Sequence, residues 1–349
     1  MTETTASKAP ATISELLKLS GSQYRLFDIG RLVSKLPKEQ FEKVELNQLP
    51  YPTPTQGHAC IAIAFWQQQS SQLYLWLLKL PLDERGLLNQ GARNHFIAII
   101  IEALGADLTQ ETSKKQEELL KSNPYLFTPA QYKLASLNSK IKVELKQKPS
   151  EYLLPFKQYL NDTVNRHNWQ GVGVQGITDF TARIKQDEHC ELLINALPSL
   201  PEEVLSPLCC ALENEQYPVT LIDAVIHTFN DALANEKKRV MAPQLLRALA
   251  ANSQHIHVKR TIKQLLSQQE LSSEILITLS GRCWQAFEDE KTLACYFEHL
   301  LNDDLTLFAN IFKDLVAIPA VRPIALQCIR AQDRSTALAQ AIGKLFSQP

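Results

Sequence analysis

The stretch that decides the fold is HACIAIAFWQQQSSQLYLWLLKL, residues 58–80. HACIAIAFW (58–66) is apolar almost throughout, LYLWLLKL (73–80) is rich in aromatic residues, and the polar QQQSSQ separates them. Two short apolar runs joined by a polar loop predict a β-hairpin. Because both runs are apolar at successive positions, we expect the sheet to be covered on both faces or packed by helices.

The residues before the hairpin predict the rest of a small sheet of three or four strands. QYRLFDIGRLVSKL (23–36) favours two short strands, with Gly30 in the turn between them. LPYPTPTQ (49–56) contains three prolines, which exclude a helix and indicate an extended loop.

The residues after the hairpin change to helical periodicity. DERGLLNQGARNHFIAIIIEALGA (83–106) predicts one helix, with Gly105 following its last turn. Further helices are predicted at 110–122, 129–147 and 150–167, with prolines at their boundaries. From residue 172 onward the chain shows only helices with short joints. Their pairs repeat roughly every 35–40 residues, which indicates a HEAT/armadillo-like α-solenoid or an irregular helical bundle.

The predicted fold class is therefore α+β, mainly α: a small N-terminal sheet module followed by a long array of helix pairs. The predicted divisions are a disordered tail (1–11), a small α+β module (12–105), connecting helices (106–170) and a helical-repeat-like domain (171–349).

Composition indicates a soluble cytoplasmic protein. The net charge of -1 gives no general attraction to nucleic acid or anionic lipid. The seven cysteines form no C-x-x-C pair, which favours free thiols in a reducing compartment. The N-terminus lacks a signal-peptide pattern, and the longest apolar run is far shorter than the roughly 20 residues that span a membrane. We therefore expect no membrane association.

The stretch GVGVQG (171–176) has the G-x-G-x-x-G spacing of a dinucleotide-binding loop. Such a loop must follow a buried strand and begin a helix. FKQYLNDTVNRHNW, which precedes it, has apolar residues at helical spacing instead. The glycines are therefore interpreted as a joint between helices, with Gly176 in the first turn of the next helix. Anion binding at that turn stays open.

Other motifs give no catalytic, cofactor or metal site. His255 and His257 have no third ligand nearby in the sequence, and we expect them at the start of a helix. No P-loop, G-x-S-x-G or H-E-x-x-H sequence occurs. The lysines of KIKVELKQK (140–148) are interpreted as a solvated helix face.

The aromatic-rich N-terminal module supplies the candidate interaction face. Aromatic and arginine side chains dominate the anchor positions of protein interfaces. The candidate residues are Arg25, Asp28, Arg31, Trp66 and Trp76.

QYRLFDIGRLVSKL, LPYPTPTQGHACIAIAFW and LYLWLLKLPLDERGLL together resemble a gammaproteobacterial family, domain of unknown function 3549. The similarity runs over most of the chain and includes NWQGVGVQGITDF. The resemblance implies a bacterial cytosolic protein of this length, and it implies no activity, cofactor or catalytic residue.

Three functions are compatible with these observations. The favoured hypothesis is a non-enzymatic adaptor or scaffold that binds another protein through its helical array and its aromatic-rich module. One alternative is an enzyme with a pocket at the junction of the sheet module and the helices, for which Arg25, Asp28, Arg31 and His95 are the first residues to test. The other is nucleic-acid binding through the Lys140–Lys148 face. The oligomeric state is left open.

Overall fold

The fold was established from a computed structural model that describes residues 10–68, 72–105, 107–109, 113–303 and 305–347. The predicted disordered tail therefore lies almost entirely outside the described residues. The chain forms two compact units. The first comprises residues 1–30 and 34–129, and the second comprises 31–33 and 130–349. This division falls inside the stretch 106–170 that the sequence analysis assigned to connecting helices.

The first unit contains a four-stranded antiparallel sheet with strand order β2-β1-β3-β4. The strands are β1 (Ser22–Asp28), β2 (Ser34–Leu36), β3 (His58–Gln67) and β4 (Tyr74–Pro81). Ile63 pairs with Leu26 of β1 on one side and with Trp76 of β4 on the other. The predicted hairpin is confirmed, as is the turn at Gly30. Both faces of β3 are buried, since Ala62 and Ile63 are each inaccessible to solvent.

The helices of the first unit pack beside this sheet. They are α1 (Ile13–Leu19), α2 (Lys38–Glu45), α3 (Gln90–Leu104) and α4 (Lys114–Lys121). Their apolar side chains share one core with the face of the sheet that carries Ile63 and Trp76. The sequence analysis did not predict α2, which begins directly after Pro37.

The prediction that one helix begins near Asp83 is wrong, because α3 begins at Gln90. The Asp83 carboxylate accepts hydrogen bonds from the N–H groups of Arg85 and Leu87, which closes a loop before the helix. Gly86 has φ +81° in this loop, a conformation that suits glycine. Asn89 then caps α3 by accepting the N–H of Ala92.

The second unit is helical in all its longer elements. Its first helices are α5 (Gln131–Glu144), α6 (Leu153–Asn161), α7 (Val174–Thr181), α8 (Asp187–Ala196) and α9 (Glu202–Leu212). The next are α10 (Val219–Ala234), α11 (Ala242–Ala248), α12 (Ile256–Leu266) and α13 (Ser273–Arg282). The last are α14 (Glu290–Asp303), α15 (Leu305–Ala317), α16 (Arg322–Arg330) and α17 (Thr336–Ser347).

From α7 onward, helices alternate between two layers. Helices α7, α9, α11, α13 and α15 contact one another in series, and α8, α10, α12, α14 and α16 do the same. A continuous apolar core lies between the layers. The observed architecture is therefore α+β and mainly α, as predicted.

Candidate functional site

Two residues of the predicted interaction face meet on the sheet. The guanidinium carbon of Arg25 on β1 lies 5.5 Å from the centroid of the Trp66 ring on β3. Both side chains are partly exposed, and Arg25 also donates to the carbonyl of Tyr24. A cation above an indole ring is attracted to its negative face. Arg25 and Trp66 therefore form a preorganised cationic and aromatic surface, which we call the sheet stack.

Trp76 is placed in the core instead of on that surface. It retains 8% of its accessible area and packs against Phe65 and Phe96 at ring distances of 4.5 and 5.5 Å. Strand alternation explains the difference, because Trp66 and Trp76 point to opposite faces of the sheet.

Asp28 is buried and holds the turn after β1. Its carboxylate accepts hydrogen bonds from the Tyr51 hydroxyl, the Thr53 hydroxyl at 2.6 Å and the Gly30 N–H at 3.1 Å. Burial and the neighbouring negative charge of Asp28 raise the pKa of Tyr51 well above its usual value. The Asp28 carboxylate thus ties the proline-rich loop to the sheet.

Arg31 belongs to the second unit. Its guanidinium forms an ion pair with Asp314 at 2.7 Å and lies 5.3 Å from the centroid of the Trp284 ring. Its carbonyl accepts a hydrogen bond from Arg282. The Val33 N–H donates to the Asn214 side chain at 2.6 Å. The tripeptide Arg31–Val33 is therefore held through main-chain atoms as well as through the arginine head group.

These contacts belong to a row of charged and polar side chains at the carboxyl ends of one helix layer. Glu213 at the end of α9 has no exposed surface and forms a bidentate pair with Arg247 of α11. Its carboxylate also lies 3.4 Å from Arg282 of α13. We call the set Glu213, Asn214, Arg247, Arg282 and Asp314 the helix-end row. Guanidinium groups are favourable at helix carboxyl ends because the helix dipole is negative there.

The helix-end row was not predicted from the sequence. The residues carry no short motif, and their contacts join positions far apart in the chain. One signal was available: Glu213, Arg247, Arg282 and Asp314 follow one another at intervals of 34, 35 and 32 residues. That interval is close to the predicted period of the helix pairs, so charged residues in phase with it could have indicated the row.

The glycine-rich stretch is a helix joint, as predicted. The preceding α-helix is α6, a short 3-10 helix follows it at Trp169–Gly171, and Gly173 is the cap of α7 with Gly176 in its first turn. A Cβ atom at Gly176 would lie 2.4 Å from the Tyr152 carbonyl oxygen. Gly176 therefore permits a close approach of α7 to Tyr152, the residue that precedes α6.

The lysines of residues 140–148 and His95, which the sequence also suggested as functional residues, lie in separate parts of the structure. Lys140 forms an ion pair with Glu215 at 2.8 Å and is only 16% exposed, whereas Lys146 and Lys148 are exposed. His95 on α3 lies 3.1 Å from the Tyr125 hydroxyl.

The predicted histidine pair and the cysteines were also located. His255 caps α12, as expected, and its ring lies 4.9 Å from that of His257. In the described part of the chain, no group of three or more His, Cys, Asp or Glu side chains could hold a metal ion. All seven cysteines are free thiols, as predicted, and burial raises the pKa of Cys283 to about 12.

A groove of about 870 Å³ lies on the second unit, between the end of α10 and the start of α13. Leu233, Val240 and Leu271 form apolar parts of its lining, and Arg239, Glu270 and Glu274 supply charges. Such a groove is large enough for a peptide or a small molecule.

The fold defines a mainly helical α+β protein in which a small antiparallel sheet and a two-layered helical unit are joined in one chain. Over the described ranges, no helix is long and apolar enough to cross a membrane. The chain belongs to the family described as Protein of unknown function (DUF3549), whose model matches residues 9–346. The predicted resemblance is thereby confirmed. No curated protein and no solved structure matches the chain.

Proposed function

We propose that this protein is a non-enzymatic adaptor or scaffold that binds another protein in the bacterial cytoplasm. In this proposal the alternating layers from α7 to α16 form an α-solenoid. Stacked helix pairs offer extended surfaces on which polypeptides bind. The seven free thiols support a reducing compartment.

The observation that carries the proposal is the capture of Arg31–Val33 by the helix-end row. An asparagine and an arginine bond to the main chain of this segment, while Asp314 and Trp284 hold the arginine head group. Main-chain hydrogen bonds provide affinity for an extended polypeptide, and side-chain contacts provide selectivity. The helical unit thus already binds one short segment of the same chain through both main-chain and side-chain contacts, and we propose that it binds a partner polypeptide in a similar way.

The sheet stack is the proposed contact for the partner. Arg25 and Trp66 are partly exposed and already oriented by one another. Ordering these side chains before binding reduces the entropy that association costs. Arginine and tryptophan are also the residues most enriched among energetic anchors of interfaces.

The test is affinity capture of the full-length tagged protein from a lysate of its own organism, with nuclease treatment and mass spectrometry. We expect one protein in stoichiometric amount, retained after nuclease treatment. Trp66→Ala should lose it. Tyr152→Ala, which truncates an aromatic side chain that is 50% exposed in the second unit, should keep it. Recovery of nucleic acid alone, or of no stoichiometric protein, would refute the proposal.

A further inference from the structure

The outer edge of β4 is partly covered by a short extended segment of the same chain. The Lys79 N–H donates to the Tyr125 carbonyl at 2.8 Å, and the Phe127 N–H donates to the Leu77 carbonyl at 3.1 Å. Leu78 pairs with Leu126 in antiparallel register. Residues 125–127 thus occupy the edge next to the carboxyl half of β4.

The same register explains why the pairing of residues 125–127 with β4 does not continue along the strand. Continuing it would place Pro129 opposite Leu75. Proline has no N–H to donate to a strand, and α5 begins two residues later at Gln131. Among the described residues, the pairing on this side of β4 ends at Phe127.

The main-chain groups of Leu75 point to this edge. Leu77 and Lys79 direct hydrogen-bonding groups outward, and in an antiparallel sheet every second residue shares that direction. Leu75 is 36% exposed, and Leu73 just before the strand is 38% exposed. Natural edge strands are commonly protected by charged side chains or proline. The stretch from Leu73 to Leu75 has neither.

This edge adjoins the sheet stack. Across the sheet, Arg25 pairs with Ala64 and Ala64 pairs with Leu75, so these three residues share one face. Trp66 follows two residues after Ala64 and lies on the same face. A strand added beside Leu75 would extend that face with its own side chains.

We infer that the edge of β4 from Leu73 to Leu75 binds an extended apolar segment of the partner protein as an additional antiparallel strand. The inference rests on the proposed function and names its site. The chain's own Tyr-Leu-Phe segment at 125–127 shows the chemistry that this edge accepts. An apolar partner residue would lie opposite Leu75 and would exchange main-chain hydrogen bonds with it, as Phe127 bonds to Leu77.

The test compares two substitutions at one position. Leu75→Pro removes the outward N–H and places a ring where the added strand would lie. It leaves the pairing of β3 and β4 intact, because that N–H points away from β3. Leu75→Val keeps the N–H and an apolar side chain, and it serves as the matched control. The probe is a library of random dodecamer peptides on phage, selected against the immobilised full-length wild type.

We expect selected peptides to contain an apolar extended core and to bind Leu75→Val nearly as well as wild type. Leu75→Pro should bind at least about fivefold more weakly, the effect of one lost main-chain hydrogen bond. Amide exchange on the wild type should show the Leu75 N–H protected only when peptide is bound. This second measurement does not depend on the folding of Leu75→Pro.

Three outcomes would overturn the inference: no peptide is selected, Leu75→Pro binds as wild type does, or the Leu75 N–H stays unprotected. A wild-type dimer that Leu75→Pro dissociates would also overturn it, because the edge would then pair with a second copy. If the captured cellular partner binds Leu75→Pro normally, the proposed function stands and only this site fails. If wild type captures no partner, the proposed function itself fails.

Discussion

Two arginine–tryptophan contacts in this protein have similar geometry and different surroundings. The cation-to-ring distance is 5.5 Å for Arg25 and Trp66 and 5.3 Å for Arg31 and Trp284. The first pair is partly exposed on the sheet. In the second, Arg31 is 5% exposed and Trp284 is 3% exposed. We propose that the exposed pair contributes to recognition, whereas the buried pair contributes to the stability of the fold.

The largest expected effect on stability is the difference between substituting the buried Trp284 and substituting the partly exposed Trp66. Trp284→Ala should lower the free energy of unfolding by about 3–5 kcal/mol, since it removes a buried ring and leaves a cavity. Trp66→Ala should lower it by only about 1 kcal/mol, because its ring is already partly in water. Denaturant unfolding of the two variants and of wild type measures both changes in the free energy of unfolding. Equal losses would contradict the comparison.

The next largest effect on stability is expected at Glu213, the buried carboxylate that pairs with Arg247 and lies near Arg282. Glu213→Gln should lower the free energy of unfolding by about 3 kcal/mol, because it removes the negative charge that balances Arg247 and Arg282. Glu203→Gln, on the exposed first turn of the same helix, is the control and should change it by less than about 0.5 kcal/mol. Urea titrations of both variants test this. A Glu213→Gln protein as stable as the control would show that the helix-end row is not structural.

Arg31→Met should cost about 2 kcal/mol of unfolding free energy. The substitution keeps a side chain of similar length but makes it apolar, and it removes the ion pair with Asp314 and the stacking on Trp284. Asp314 is 35% exposed, so water partly compensates its lost partner, which limits the effect. Arg31→Lys should fall between Met and wild type, since lysine keeps the charge without the planar group. A thermal melt in which Arg31→Met matches wild type would contradict this.

The smallest expected effect is that of Arg25→Met, below about 1 kcal/mol, the size of an exposed cation–π contact. Its denaturation midpoint should be close to that of wild type. A large loss would show that the sheet stack is part of the folded core instead of a recognition surface.

Local chemistry was sufficient to predict most of the architecture. Alternating and continuous apolar runs predicted the hairpin, and glycine and proline positions predicted the turn at Gly30 and the joint before α7. The start of α3 was missed because the side chain of Asp83 organises a loop, which helical periodicity does not show. The short helix α2 was missed where Pro37 directly precedes it.

The candidate face was harder to predict, because composition does not reveal the partners of a side chain. Trp66 and Trp76 are ten residues apart, yet the hairpin places them on opposite faces. Arg31 follows Asp28 closely, yet its ion pair is with a residue more than two hundred positions later. Such long-range contacts depend on the packing of α9 to α15, for which the sequence offers only the spacing of charged residues.

The most direct test of the central claim is a titration of the captured partner into wild type, Arg25→Met and Arg31→Met, with unfolding measured on the same samples. We expect Arg25→Met to weaken partner binding by about tenfold or more at nearly unchanged stability, as for an interface anchor. We expect Arg31→Met to bind like wild type while unfolding more easily. Unchanged affinity for Arg25→Met, with or without a loss in Arg31→Met, would contradict the assignment of recognition to the sheet stack.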